Sequence, residues 1–394
     1  MDLALAALIA AYHESGESGA LRAVLPLAGR SLVERQARLA ARAGATRIVI
    51  LVERLPAELG AALERLRRDK VPIHVARDVD EAAETIEPAD RLLLIGDGAV
   101  IDEDQLSRLA EGSDHAVLTV PDSVHGELYE RIDGQSRWGG AAAMDGQMLR
   151  ATAAMLRDWD LQSTLLRRTL QAGARHVAAD RPLAIIDRAA DVTALEDRIL
   201  ADALEARGGW MDRLLAPLER VVAGATLGGS IGPNLIGGVA LGLAALGAAG
   251  FAFGWNWTGL ALILLGTPLE GVAIRVARAR LLDDPARSWW RQLLPALGGA
   301  GLLALGYNQA PAHGWGTILL TAMTIAFMLA LSVERERAAI PGEIALAERK
   351  ALAWLMLPLV GFGGWLAGLA GTFAYAAGSF FWAQHHAHRP KGKD

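Results

Sequence analysis

The chain has 394 residues, 52% of them apolar, with 43 Gly, no Cys, only 21% charged residues and a mean hydropathy of +0.26. These figures exclude a disordered or collagen-like chain, and with it disulfides, thiolate nucleophiles, iron–sulfur clusters and Cys-bound zinc. The net charge of −5 hides a split: residues 1–232 carry 36 acidic against 27 basic side chains, and residues 233–394 carry 8 against 12. The pattern predicts an acidic soluble domain followed by a basic-flanked membrane domain. An acidic soluble part also argues against nucleic acid as a partner.

The chain opens on an apolar run, Met1–Ala11. Asp2 lies in it and no Lys or Arg precedes it, which argues against a signal peptide. Leu3–Ala11 reads as a buried first strand, with a short helix as the open alternative. Further strands are expected at Arg47–Val52, Ile73–Ala76, Arg91–Gly96, His115–Thr119, Arg137–Met144 and Pro182–Ile186. Helices are expected at Ser31–Ala43, Pro56–Arg68, Asp80–Ile86, Asp104–Ala110, Gln147–Arg157, Leu161–Ala172 and Thr193–Ala206. Ser31 with Glu34 forms a capping box, and Pro56 suits a first helical turn. Such alternation predicts a mostly parallel sheet with helices on both faces and its ligand at the carboxyl ends of the strands.

The second half carries long uncharged runs: Leu235–Phe253, Trp315–Val333 and Ala351–Ala383, with shorter ones at Trp257–Leu269 and Leu293–Tyr307. Ala351–Ala383 is too long for one span, and Gly368–Gly371 offers a break. This counts to six helices. Loops on one side, at 254–258, 308–314 and 369–371, hold no Lys or Arg. The other side holds Arg275, Arg278, Arg280, Arg287, Arg291, Arg335, Arg337, Arg349 and Lys350. That segregation predicts a multi-pass protein of the inner, cytoplasmic membrane with both termini cytoplasmic. Lysine is scarce: only Lys70, Lys350, Lys391 and Lys393. The expected domains are 1–205, a juxtamembrane linker or interfacial helix at 206–232, a membrane domain at 233–385 and a tail at 386–394.

Two motifs bear on chemistry in the soluble half. Leu21-Arg22-Ala23-Val24-Leu25-Pro26-Leu27-Ala28-Gly29-Arg30-Ser31-Leu32 follows the first strand and the Gly16–Gly19 loop. It resembles the Pro-Lys-x-Leu-x-Pro-x2-Gly-x2-Leu block of sugar-phosphate nucleotidyltransferases, with Arg22 at the Lys. Leu92–Asp97 is a buried strand ending in Gly-Asp, and Ile185-Ile186-Asp187 resembles a later Asp-bearing strand. The resemblance implies that Asp97 and Asp187 hold a divalent metal, Mg²⁺ or Mn²⁺, and that Arg22 and Gly19 serve substrate binding. Asp97 is equally readable as a polar turn or cap residue. The loop departs from a phosphate cradle: Glu14 and Glu17 have the wrong sign, and Tyr12 fills space that Gly would leave open.

In the membrane half, Thr267-Pro-Leu-Glu270-Gly271-Val-Ala-Ile-Arg275, running on to Gln292, resembles the signature of CDP-alcohol phosphatidyltransferases, Asp-x2-Asp-Gly-x2-Ala-Arg-x8-Gly-x3-Asp-x3-Asp. Gly232-Pro233-Asn234 resembles the segment that opens that family's first span. The register places Glu270 at the second Asp, with Gly271 and Arg275 at its Gly and Arg. Thr267, Ser288 and Gln292 replace the other three Asp, and Asp284 stands at the second Gly. The resemblance implies Glu270, Asp284 and Arg275 as catalytic, Glu270 and Asp284 as metal ligands, and Gly271, Pro233 and Asn234 as substrate-binding. Hard cations need carboxylate oxygens, and a hydroxyl nucleophile needs a base, so the neutral replacements leave a remodelled or a dead site.

The two resemblances together imply a fold: an α/β nucleotidyltransferase-like, Rossmann-like soluble domain followed by an all-α six-helix transmembrane domain of CDP-alcohol phosphatidyltransferase type. They imply phospholipid or polar-headgroup synthesis, with a CDP-alcohol and a membrane lipid acceptor as partners, membrane lipids as surroundings, and a homodimer. The alternative is a non-catalytic homologue that scaffolds or regulates an active relative.

Overall fold

The computed structural model describes the chain apart from residues 1–3, 17–18, 113, 123–128, 157–158, 181–182, 189–190, 193–194, 197–198, 200–208, 228, 230, 283–287, 338–339, 341 and 388–394. Asp284, most of the expected Thr193–Ala206 helix and most of the tail lie outside the described residues. The chain divides into two compact units, Met1–Asp197 and Arg198–Asp394.

The first unit is built on β1 (Leu5–Ala10), β2 (Pro26–Leu27), β3 (Arg30–Ser31), α1 (Leu32–Arg42), β4 (Arg47–Leu51), α2 (Ala57–Arg68), β5 (Ile73–Ala76), α3 (Val79–Thr85), β6 (Arg91–Ile95), β7 (Ala99–Val100), α4 (Glu103–Glu111), β8 (Ala116–Pro121), β9 (Ser136–Asp145), α5 (Gly146–Ala153), α6 (Leu161–Gln171), β10 (Arg175–Ala178) and β11 (Ala184–Ile185). The run at Leu5–Ala10 is a strand, which resolves the strand-or-helix alternative. A seven-stranded sheet has the order β10-β8-β9-β6-β1-β4-β5. β1 pairs in parallel with β4 on one side and β6 on the other, while β9 runs antiparallel between β6 and β8. β1, β4 and β6 are buried on both faces, which is why they read as continuous apolar runs. Ala6, Leu8, Val49, Leu51, Leu92 and Leu94 face one core with Leu149, Leu165 and Leu166 of α5 and α6.

The capping box at α1 forms as expected: Glu34 accepts from the Ser31 N–H at 3.1 Å. Glu34 is fully buried, and Arg65 of α2 grips it with two bonds of 3.0 and 2.8 Å. One carboxylate therefore caps α1 and ties it to α2.

The second unit is helical: α7 (Trp210–Leu227), α8 (Pro233–Ala252), α9 (Asn256–Ala279), α10 (Trp289–His313), α11 (Gly316–Arg337) and α12 (Arg349–Ala387). Pro233 takes the first position of α8, where a missing N–H costs nothing. Among the described residues, four helices are long and apolar enough to cross a membrane, over 233–252, 256–279, 316–335 and 349–386; α10 is not among them. Their outward faces carry exposed Leu235, Val239, Phe253, Leu265, Leu319, Leu329, Phe362 and Phe381, an apolar surface suited to lipid and not to water. The break in the long C-terminal run falls at Gly364, not at Gly368–Gly371. Gly364 has φ 73° and ψ 179°, a conformation that costs glycine little, whereas Gly368 and Gly371 lie within the helix that follows it.

Candidate functional site

The chain order reverses around β1: from it the sheet grows to β4 and β5 on one side, then resumes at β6 on the other. A crevice at the carboxyl ends of β1 and β6 is the place where such sheets bind ligands. Asp97 stands there, two residues past β6, with its side chain fully buried. Its Oδ2 accepts the backbone N–H of Tyr12 at 3.0 Å and of His13 at 2.8 Å, so the carboxylate ties down the segment after β1. Its Oδ1 is buried and has no hydrogen-bond partner. The Asp97 N–H donates to Gln162 Oε1 at 2.9 Å.

His13 lies between two carboxylates, its Nδ1 3.6 Å from Asp97 and its Nε2 3.6 Å from Asp160. Asp97, more than burial opposes it and with help from Asp160, holds this imidazole above its ordinary pKa. Burial, then the charge of Asp160, pushes the Tyr12 phenol up, so it remains a donor and bonds Asp160 Oδ1 at 2.8 Å. Asp160 also caps α6.

The short ladder of β7 with β11 brings Asp187 back beside the Asp97 turn: Ile186 N–H donates to Gly98 O at 2.8 Å. Gly98 has φ +75°, and a Cβ there would stand 2.5 Å from Ile186 O, so the approach needs glycine. Arg22, expected at the phosphate, instead binds Asp187, with its Nε at 2.8 Å and a terminal nitrogen at 2.6 Å. Glu14 pairs with Arg54 at 2.7 Å. Gly19 is exposed, with φ +62° and open space around it. A cavity of about 180 Å³ is lined by Asp97, Arg22, Glu130, Trp138, Gln162 and their neighbours. Sequence reasoning missed Asp160, Gln162, Glu130 and Trp138; the only local signal was an Asp at a helix start.

A divalent cation that binds through one or two carboxylates plus ligand phosphates fits this crevice, because Asp97 Oδ1 is buried and unengaged. At Asp187 both Arg22 contacts fall on Oδ1. Among the described residues no group of three or more His, Asp or Glu side chains is arranged to hold a metal.

The helical unit gathers a second polar cluster. Glu270 is ion-paired to Arg349 of α12. Arg275, 6% exposed, binds Glu219 of α7 through Nε at 2.9 Å and a second nitrogen at 2.5 Å. Lys350 binds Asp212 at 2.7 Å and reaches Glu219 at 4.0 Å. Trp354 donates its indole N–H to Thr267 Oγ1 at 2.8 Å. A Cβ on Gly271 would stand 2.0 Å from Glu219 Oε1, so this glycine is where α7 lays its carboxylate on α9. Pro233 and Asn234 form the first turn of α8. Arg349 and Lys350, read in the sequence as loop charges, sit in the first turn of α12 and face carboxylates. Glu219 was also missed; its signal is an acid on an otherwise apolar buried face, with Met211, Leu215, Ala223 and Leu227. Asp212, Glu219 and Glu270 each meet a side-chain cation of the same chain, while Glu219 keeps its Oε1 buried without a hydrogen-bond partner.

No family model and no curated protein matches the chain. Among solved structures it is similar to the inositol-1-phosphate CTP transferase from T. maritima, at 14% identity and a TM-score of 0.37 over 48% of this chain and 91% of that one. It is also similar to a nucleotidyl transferase from Methanothermobacter, at 19% identity and a TM-score of 0.37 over 50% of this chain and 99% of that one.

Proposed function

We propose that this chain is an integral membrane protein of phospholipid and polar-headgroup synthesis, joining a nucleotidyltransferase-like α/β unit to a helical unit of CDP-alcohol phosphatidyltransferase type. Its reaction is the transfer of a phospho-alcohol from a CDP-alcohol to a membrane alcohol. A new bond forms between the acceptor oxygen and phosphorus, the bond to the CMP leaving group breaks, and the acceptor proton leaves on a carboxylate; Glu270 is the carboxylate in that register. The observation that carries this reading is the polar cluster at Thr267–Arg275. Its residues keep the spacing of the resembling signature in a helix apolar enough to cross a membrane. Ionisable groups at such depth are costly, and a simple anchor needs none of them.

The α/β unit adds support through Asp97 at the switch point with its unengaged oxygen. A cation held by Asp97 would neutralise charge on a nucleotide's phosphates, with His13 and the Arg22–Asp187 pair beside it. The test is CMP release by the full-length chain in vesicles, offered CDP-inositol, CDP-glycerol and CDP-ethanolamine with lipid acceptors. Release with one donor supports the reading, and silence with every pair overturns it.

A second reading, a non-catalytic protein that scaffolds or regulates an active relative, draws on the pairing of Asp212, Glu219 and Glu270 with side-chain cations of the same chain. If Glu270→Gln and Asp97→Asn both leave the protein's cellular role intact, that reading gains; loss of function with either variant removes it.

A further inference from the structure

α7 sorts its charges by face. Both of its acids are engaged within the unit: Asp212 binds Lys350 of α12 at 2.7 Å, and Glu219 binds Arg275 of α9. Both of its arginines, Arg213 and Arg220, are exposed, and among the described residues no ion pair holds either of them. Beside them runs an apolar stripe. Leu214, Leu218 and Val221 are each more than half exposed, and their spacing of four and then three residues puts them on one face. Met211, Leu215, Glu219, Ala223 and Leu227, on the other side of the helix, are buried. A stripe of this kind gains by leaving water.

What covers the stripe follows from where α7 is held. Glu219 meets α9 at Gly271 and Arg275, inside the stretch 256–279 that is apolar enough to cross a membrane. Just past that stretch, Arg280 donates to the carbonyls of Thr226, Leu227, Gly229 and Ile231, so the C-terminal end of α7 is tied to the end of α9. Pro233 then opens α8, another such stretch. α7 is therefore fixed where one candidate span ends and another begins. We propose that α7 lies in that face of the bilayer, with Leu214, Leu218 and Val221 among the acyl chains and Arg213 and Arg220 on the phosphates of anionic phospholipids. Charge complementarity selects the lipid class: the acids of α7 are spent on partners inside the unit, so its lipid-side flank is purely cationic. The two arginines stand seven residues apart, about two turns, along one flank of the stripe. An apolar stripe bordered by arginines holds a helix in the plane of a bilayer surface, and each cation near an anionic leaflet adds attraction that salt screens.

The inference rests on the helical unit being embedded in a bilayer, and not on its chemistry; a probe on α8 tests the embedding separately. The chain has no Cys, so Val221→Cys and Val239→Cys in the full-length protein each take a single bimane label. Val239 is half exposed on α8 and reports the embedding. The labelled proteins are read in vesicles of phosphatidylcholine and phosphatidylglycerol at equal mole fractions, with the chains of one lipid or the other brominated. Brominated lipid is expected to quench both probes, and aqueous iodide neither. At Val221 brominated phosphatidylglycerol is expected to quench more than brominated phosphatidylcholine. Arg213→Gln with Arg220→Gln removes that excess and leaves quenching at Val239 as it was. Both arginines are exposed, so this double variant keeps the packed face of α7. Iodide quenching at Val221 together with lipid quenching at Val239 puts the stripe in water and overturns the proposal. A Val221 probe reached by neither quencher puts a protein surface, such as a second copy of the chain, on the stripe and overturns it as well. Equal quenching by the two lipids before substitution overturns the anionic preference. Loss of lipid quenching at Val239 removes the embedding, and the proposal falls with it.

Discussion

At the scale of single residues, the α/β site turns on Asp97. One of its oxygens holds the backbone of Tyr12 and His13, while its charge raises the His13 pKa. A raised histidine stabilises the folded chain while protonated. That contribution is complete below the unfolded value of about 6.5 and is lost as pH rises through the folded value. An NMR titration of labelled His13 is therefore expected to show a midpoint above about 6.5, falling back in Asp97→Asn. A midpoint unchanged by that variant removes Asp97 as the cause. Asp97 was legible in the sequence because a buried strand followed by Gly-Asp is a local pattern. Asp160 and Glu219 were not, because their meaning depends on partners 148 and 56 residues away. Arg22 was legible as a charge near the crevice but not as the partner of Asp187, since that pairing exists only through the β7–β11 ladder.

At the scale of elements, two joints can be tested. Glu34 joins α1 to α2. Burial alone would raise its pKa, but Arg65, the Ser31 N–H and Arg30 together lower it. Its contribution is thus present above the ordinary carboxylate range and lost as pH falls through the folded value. Glu34→Ala removes the reciprocal cap of α1 and leaves the half-exposed Arg65 to rehydrate, an expected loss of about 1–2 kcal/mol, read as a lowered Tm of the full chain. A change under about 0.5 kcal/mol would place Glu34 outside the joint. The second joint is α7 on α9. Gly271→Ala drives a methyl into Glu219 and is expected to cost about 3 kcal/mol. Gly242→Ala, with open space around it, is expected to change Tm little. Equal effects of the two would contradict the close approach. The capping box that starts α1 was readable from Ser31 and Glu34 alone. The kink at Gly364 was misplaced by a few residues because the run from Ala351 to Ala383 offers many glycines, and composition does not say which one adopts a positive φ.

At the scale of the whole molecule, the chain divides into an α/β unit and a helical unit. The mixed sheet is set by strand runs and turn residues spread along the chain, so its strands were largely visible in sequence. The charge network of the helical unit was not, because each acid pairs with a base on another helix and the charges resemble topology signals when read singly. Membrane orientation gives a clean prediction, since the chain has no cysteine to interfere. A single Cys at His313 is expected to label from the outer side of intact cells, and one at Arg337 only after permeabilisation. Labelling of both from one side would overturn the expected orientation. The most direct test of the account is CMP release by the full-length chain in vesicles, offered CDP-inositol, CDP-glycerol and CDP-ethanolamine in turn with lipid acceptors. The account predicts release with one of these donors. Silence with every donor and acceptor would contradict it.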